Sequence, residues 1–248
     1  MEEPNQTEIG EKCSTILNNL KDGKSPSPME IKLLASSDIV SRNMRSPSEG
    51  PIGELVSTMM ESVNLKISKV SAEQCNLVSG ETVLEIGTGG HGYAMEVLLQ
   101  TSGLTKLVGI EISDYLRNKI VQKFSKEIEK EKLVILDNDC KDLSDIFPNN
   151  NTVDCILAIN VVYFLNPLEI YLQEMYRILK PRTGRVLLAC KNSVSKQQRP
   201  PNSAFKNVDF EEICLKCRDV GFKVEVENMH FDENSLMNDF TLIKLYKE

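Results

Sequence analysis

Residues 83–99 read VLEIGTGGHGYAMEVLL. A short apolar run holding one acid, Glu85, passes into a turn with glycines at 87, 89, 90 and 92, and then into a helical pattern. Strand, glycine turn and helix is the arrangement with which a parallel α/β sheet holds a nucleotide-like ligand. Glycines there let the backbone approach a ligand closely and adopt positive φ. A glycine pattern alone is weak evidence, and spacing strengthens it. The next apolar run, KLVGIE at 106–111, ends in Glu111, where a carboxylate binds both hydroxyls of a ribose. The bland alternative is a surface acid at a strand end. His91, inside the turn, is expected to serve the turn conformation rather than catalysis.

The same alternation continues outward. Helical pattern covers the segment from Gly53 to Leu77, in two pieces. Strands are expected at Thr82–Ile86, Lys106–Glu111, Leu133–Asp137, Val153–Ile159 and Arg185–Cys190. Helices follow the glycine turn to about Gln100, start near Ser113, and span Pro167–Lys180 with proline in the first turn. The helix DFEEICLKCRDV is closed by Gly221, a helix-ending glycine. Strands Phe222–Glu227 and Phe240–Tyr246 end the sequence with no helical run between them, so the final strand is expected to run antiparallel. Strands alternating with helices define a doubly wound, mostly parallel α/β sheet. Residues 1–52 differ: KDGKSPSP and NMRSPSEGP are loop-like, with a short amphipathic helix at Met29–Val40 between them. They read as a partly mobile N-terminal arm, a candidate cover for a substrate pocket, before a domain at 53–248.

Composition bounds the function classes. The 248 residues carry 29 Lys and Arg against 36 Asp and Glu, a net charge of −7. That disfavours nucleic-acid binding, which needs clustered cations. The basic residues between Arg117 and Lys132 are interrupted by glutamates and read as a solvated helix face. No apolar run approaches the ~20 residues of a membrane span, and the acidic start does not read as a signal or transit peptide, so a cytoplasmic location is expected. Seven cysteines, several inside apolar strands, read as reduced and buried. Cys214 and Cys217 form a CxxC with no second pair and no nearby histidine, so no metal site is expected.

Nicotinamide and flavin cofactors would place a pyrophosphate at the helix N-terminus. Here Glu85 stands two residues before the first glycine, which suits a cationic ligand better than an anionic one. VLEIGTGGHG, VGIEIS, NDCKDL, VDCILAINVVYFL and ILKPRTGRVLLA, in that order and spacing, resemble the motifs of class I S-adenosylmethionine-dependent methyltransferases, over about residues 53–248. The resemblance is strongest to the small-molecule, type 11 group that includes quinone-biosynthesis enzymes. It implies a Rossmann-like seven-stranded sheet with an antiparallel last strand, S-adenosylmethionine as cofactor and S-adenosylhomocysteine as product. It implies that Gly87, Thr88 and Gly89, in the turn completed by Gly90 and Gly92, hold the methionine part, with Glu85 supporting its ammonium group. Glu111 would take the ribose and Ile112 would pack on the adenine. Asp139 would accept from the adenine amino group, Cys140 would offer its N–H, and the Asn160 carbonyl would line the methionine end. Asn138 and Cys140 depart mildly from the family's usual glycine and alanine.

Methyl transfer is an in-line displacement in which the protein mainly aligns a nucleophile. No general base stands out. Tyr163, after the fourth strand, is a candidate for the substrate pocket, with packing against the next helix as the bland alternative. The resemblance puts the acceptor pocket among three pieces. They are the arm with the helix carrying Met59, Met60 and Asn64; the Tyr163 region; and a polar loop at 191–205 whose Lys191, Lys196 and Arg199 would meet an acidic acceptor. INVVYF replaces the Asn/Asp-Pro-Pro-Tyr of amino-group methylating relatives. The expected function is methylation of a small molecule. A protein side-chain methyltransferase and a catalytically silent methyltransferase-like binding protein are the alternatives.

Overall fold

The computed structural model describes residues 6–24, 30, 37–195, 203–231 and 239–248. Three helices precede the first strand: α1 (Gln6–Lys21), α2 (Asp38–Arg45) and α3 (Pro51–Gln74). Then come β1 (Thr82–Ile86), α4 (Tyr93–Leu98), β2 (Lys106–Ile110), α5 (Asp114–Lys123), α6 (Ser125–Glu129), β3 (Leu133–Leu136) and β4 (Cys155–Ile159). A 3₁₀ turn at Val162–Phe164 leads to α7 (Leu168–Ile178) and β5 (Arg185–Lys191). The short α8 (Asn192–Ser195), α9 (Phe210–Val220), β6 (Lys223–Met229) and β7 (Phe240–Tyr246) complete the order.

The strands form one seven-stranded sheet in the order β3-β2-β1-β4-β5-β7-β6. β1 to β5 pair in parallel, and β7 runs antiparallel to both β5 and β6. The sheet and its antiparallel end are those expected from the sequence. β1 and β4 are apolar on both faces because helices cover both. Leu84, Ile156 and Leu188 pack beneath α7 and α9. Val83, Leu157 and Leu187, one residue out of phase, pack beneath α3, α4 and α5. A third core lies outside the sheet, where Ile9, Ile16 and Val40 meet Leu55 and Val56 of α3.

Element ends differ by a residue or two from the expected ones. The larger difference is α3, one continuous helix of 24 residues instead of two pieces. Its last turns lie on the sheet while its first turns carry α1 and α2, so one helix spans the expected boundary at residue 52. Pro167 stands at the N-cap of α7 in extended conformation, just before the helix rather than in its first turn. Asp209 caps α9 by accepting from the N–H groups of Glu211 and Glu212, and Gly221 closes it in the left-handed region. All seven cysteines are free and buried. The expected helix at Met29–Val40 lies mostly outside the described residues, as do Lys196 and Arg199. No described helix is long and apolar enough to cross a membrane.

Candidate active site

β1 pairs with β2 on one side and β4 on the other, so connections leave its C-terminal end in opposite directions. A crevice opens at such a switch point. Here the crevice is a cavity of about 330 Å³. Its floor is the turn from Gly87 to Gly92, three of whose residues, Gly87, Gly89 and Gly92, have φ between +58° and +73°. A Cβ on Gly87 would stand 2.4 Å from Val161 Cγ2, and one on Gly92 2.4 Å from Phe124 Cε2. Glycine is therefore demanded twice, by conformation and by close approach. His91 stands in the turn, as expected, without a positive φ.

Glu111 stands one residue past β2 and is buried. Its Oε2 accepts from the Gly89 N–H at 2.9 Å and its Oε1 from the Ser113 N–H at 2.9 Å. The carboxylate thus ties the glycine turn to the start of α5, and each oxygen keeps a second acceptor site for a ligand. Burial raises its pKa, opposed by those two N–H groups. Glu85 has no such support: its Oε2 is buried without a hydrogen-bond partner. Burial first, and repulsion from Glu111 second, push its pKa up to about 8.

The expected cofactor residues are brought together. Glu85, Gly87, Thr88, Gly89, Gly90, Gly92, Glu111, Ile112, Asp139, Cys140 and Asn160 all line this cavity. Asn160 adopts φ +57°, with its side-chain nitrogen donating to Asn64 Oδ1 at 3.2 Å and its Oδ1 accepting from the Lys191 N–H at 3.1 Å. At the other end Asp139, Cys140 and Tyr171 share the wall with Arg45. Burial, and then the nearby Asp139, push the Tyr171 hydroxyl up to about 12.

Two expectations are corrected. Tyr163 is 1% exposed and lies in the core rather than on the cavity wall. The 3₁₀ turn directs its ring inward, where the hydroxyl donates to Lys191 O at 3.3 Å, and Phe164 takes the place on the wall. Lys191 does not wait for an acidic acceptor. It is 6% exposed and donates from Nζ to the Val63 carbonyl under α3, and burial lowers its pKa to about 8.

The roof holds what the sequence did not reveal. Ser57, Met60, Glu61, Asn64 and Ser68 of α3 line the cavity, at spacings of three, four and seven that mark one helix face. Met59 instead packs against the core of α1 and α2. Met44, Arg45 and Pro47 reach in from the arm, which is pinned where Ser113 Oγ donates to the Pro47 carbonyl. Glu61 holds the roof to the floor: its Oε2 is 3.0 Å from His91 Nε2 and its Oε1 accepts from the Tyr93 hydroxyl at 3.1 Å. The His91 and Tyr93 rings stack at 5.5 Å. The periodicity was visible in the sequence, but a methionine and serine stripe reads equally as packing.

The wall carries the carboxyl groups of Glu61, Glu85, Glu111, Asp137 and Asp139 against one guanidinium, that of Arg45. Such a cavity suits a nucleoside bearing positive charge and opposes a pyrophosphate. Unpartnered Glu85 beneath a glycine floor fits an ammonium-bearing ligand in particular. The strand order is that of the Rossmann-like methyltransferase fold.

The comparisons agree. Residues 84–188 match the type 11 family described as a methyltransferase domain. Among solved structures, an S-adenosylmethionine-dependent methyltransferase from Aquifex aeolicus has a TM-score of 0.56 at 20% identity, over 74% of this chain and 90% of that one. A complex of the Haloferax volcanii Trm112 methyltransferase activator with a putative methyltransferase gives 0.58 at 20% identity, over 77% and 93%. The [4+2]-cyclase SpnF gives 0.58 at 14% identity, over 100% and 97%. No curated relative matches the sequence. Residues 84–188 are thus similar to methyltransferase domains of the type 11 group, and the solved structures share the fold.

Proposed function

We propose that this protein transfers the cofactor's methyl group to a small-molecule acceptor. The observation that carries the reading is the roof: residues of α3 and the arm stand over the same cavity as the cofactor residues, and its volume of about 330 Å³ is at the lower end of the range for small-molecule sites. The cofactor supplies an activated carbon when bound; the chain binds, orients and excludes water. In this reading Asp139, the Cys140 N–H and Ile112 hold the adenine, Glu111 the ribose, and Gly87–Gly89 with Glu85 and Asn160 the methionine part. α1, α2 and the first turns of α3 form the cap, and Met60, Asn64 and Phe164 stand toward the acceptor. A roof over the site favours a small acceptor over a protein side chain, whose backbone would have to approach with it.

A second reading is a binding protein or a different catalyst on the same scaffold, favoured by the whole-chain likeness to a structure named as a cyclase. Thermal shift and calorimetry with S-adenosylmethionine, S-adenosylhomocysteine and NAD test the cofactor assignment, with the first two expected to bind. Incubation with methyl-labelled cofactor in a fractionated cell extract tests the acceptor. Label in the metabolite fraction is expected; label confined to protein would favour side-chain methylation, and none in either the second reading.

A further inference from the structure

Glu85 and Glu111 are neighbouring buried acids in very different surroundings. Glu111 is held by two N–H donors. Glu85 stands in register between Gly109 of β2 and Leu157 of β4, so the flanking strands offer its side chain no polar partner. It is 2% exposed and its Oε2 is unpartnered. The titratable groups that face it are Glu111 at the end of β2 and the Cys75 thiol at the end of α3. Glu61, His91, Asp137, Asp139 and Arg45 stand farther round the same wall. No cation is among the groups that act on it. A carboxylate without donors or a counter-ion in such a place is strongly disfavoured against the neutral acid.

We propose that the cofactor-free protein holds Glu85 as a neutral carboxylic acid, and that binding of the ammonium-bearing methionine part expels its proton to solvent. This rests on the cofactor assignment above. The step is a proton release only: the O–H bond of Glu85 breaks, the proton passes to buffer, and the carboxylate left behind pairs with the ligand's ammonium. A charge-assisted hydrogen bond replaces an unmade one. Burial that pushes Glu85 up to about 8 leaves about nine-tenths of it protonated at pH 7. Between pH 6 and 7 each unit should then tighten binding by close to tenfold. That window lies below the range, about 7.7–8.0, in which an α-amino group loses its own proton.

Calorimetry with S-adenosylhomocysteine at pH 7, in phosphate and in Tris, reads the protons released. Nearly one per ligand is expected for the parent and nearly none for Glu85→Gln. Affinity of the parent should rise with pH over this window while that of the variant stays flat. 5′-Methylthioadenosine, which lacks the amino-acid part, should bind the parent without the release. Tight binding by the parent with no buffer dependence would overturn the proposal, as would equal release from Glu85→Gln. Failure of both nucleosides to bind would instead overturn the cofactor assignment. If the variant does not fold, carbon-13 NMR of glutamate-labelled parent decides: one carboxyl resonance should move from its acid to its ionised position on ligand addition, and no such change would refute the proposal.

Discussion

The sheet and the cap meet at one cavity but are held together by different forces. Around β1 every strand has hydrogen-bonded neighbours, and apolar side chains pack on both faces. The cap formed by α1, α2 and the first turns of α3 has its own small core, which among the described residues runs from Ile9 to Val56. Around the cavity it meets the sheet half through polar contacts: Glu61 to His91 and Tyr93, Asn64 to Asn160, Val63 to Lys191, and Pro47 to Ser113. Packing of the first kind is apolar and continuous; contacts of the second kind are single polar pairs. The difference predicts a floor that opens only with the whole sheet and a roof that can open locally.

Matched truncations would break that comparison most directly. Leu84 and Leu55 are each 0% exposed, one in β1 and one in the cap. Leu84→Ala should destabilise the whole chain by about 2–5 kcal/mol. Leu55→Ala should act locally, raising amide exchange across α1 and α2 while lowering the global melting temperature less. Equal drops in melting temperature would show one cooperative unit and end the distinction. Within the floor, Glu111→Ala removes the acceptor of two N–H groups as well as the proposed ribose contact. Hydrogen bonds to a charged group are worth ~1.5–3 kcal/mol, so S-adenosylmethionine should bind about 10- to 100-fold more weakly by calorimetry. Binding within about twofold of the parent would contradict the ribose assignment.

The floor was legible in the sequence because its determinants are local. Glycine at 87, 89 and 92 answers to backbone φ, and the Gly89–Glu111 spacing answers to one strand, one turn and one helix. The alternation of strands with helices carried the parallel sheet, and the missing helix between β6 and β7 carried the reversed strand. The roof was less legible because its meaning depends on contacts far apart in sequence. Glu61 looks like any surface acid until α3 sets it against His91. Tyr163 follows β4 where a pocket residue is expected, but a single 3₁₀ turn decides which of two adjacent aromatics faces the cavity. α3 looked like two helices because its apolar face changes partner midway, from the cap's core to the sheet.

A chain beginning at residue 46 would sharpen the comparison. It loses Met44 and Arg45 from the wall and α1 from the back of α3, but keeps Pro47 and every residue of the floor. Calorimetry should show cofactor affinity reduced by less than about tenfold, ~1.4 kcal/mol, while methyl transfer in the labelled-extract experiment falls to background. Undiminished transfer would reduce the arm to a tail. Loss of cofactor binding comparable to Glu111→Ala would make the arm part of the floor.

The smallest expected effect concerns the latch between the two regions. Burial lowers the pKa of His91, and Lys119 and Lys123 act in the same direction, while the nearby Glu61 opposes them. A histidine held below its ordinary value of about 6.5 binds fewer protons folded than unfolded. The His91 contribution to stability is therefore complete above pH 6.5 and is lost as pH falls from there through the folded pKa. The sequence contains two histidines, so ring NMR resolves the titration directly, with exposed His230 as the second resonance. His91 should titrate below about 6.5, and Glu61→Gln should move it lower still by removing the carboxylate that favours the charged ring. The same variant loses the anion that accepts from Tyr93, so amide exchange in the first turns of α3 should rise while exchange in β1 stays unchanged. A His91 resonance titrating at or above the ordinary value would mean that Glu61 outweighs burial. The latch would then be a charged pair that tightens in acid rather than a neutral contact that loosens.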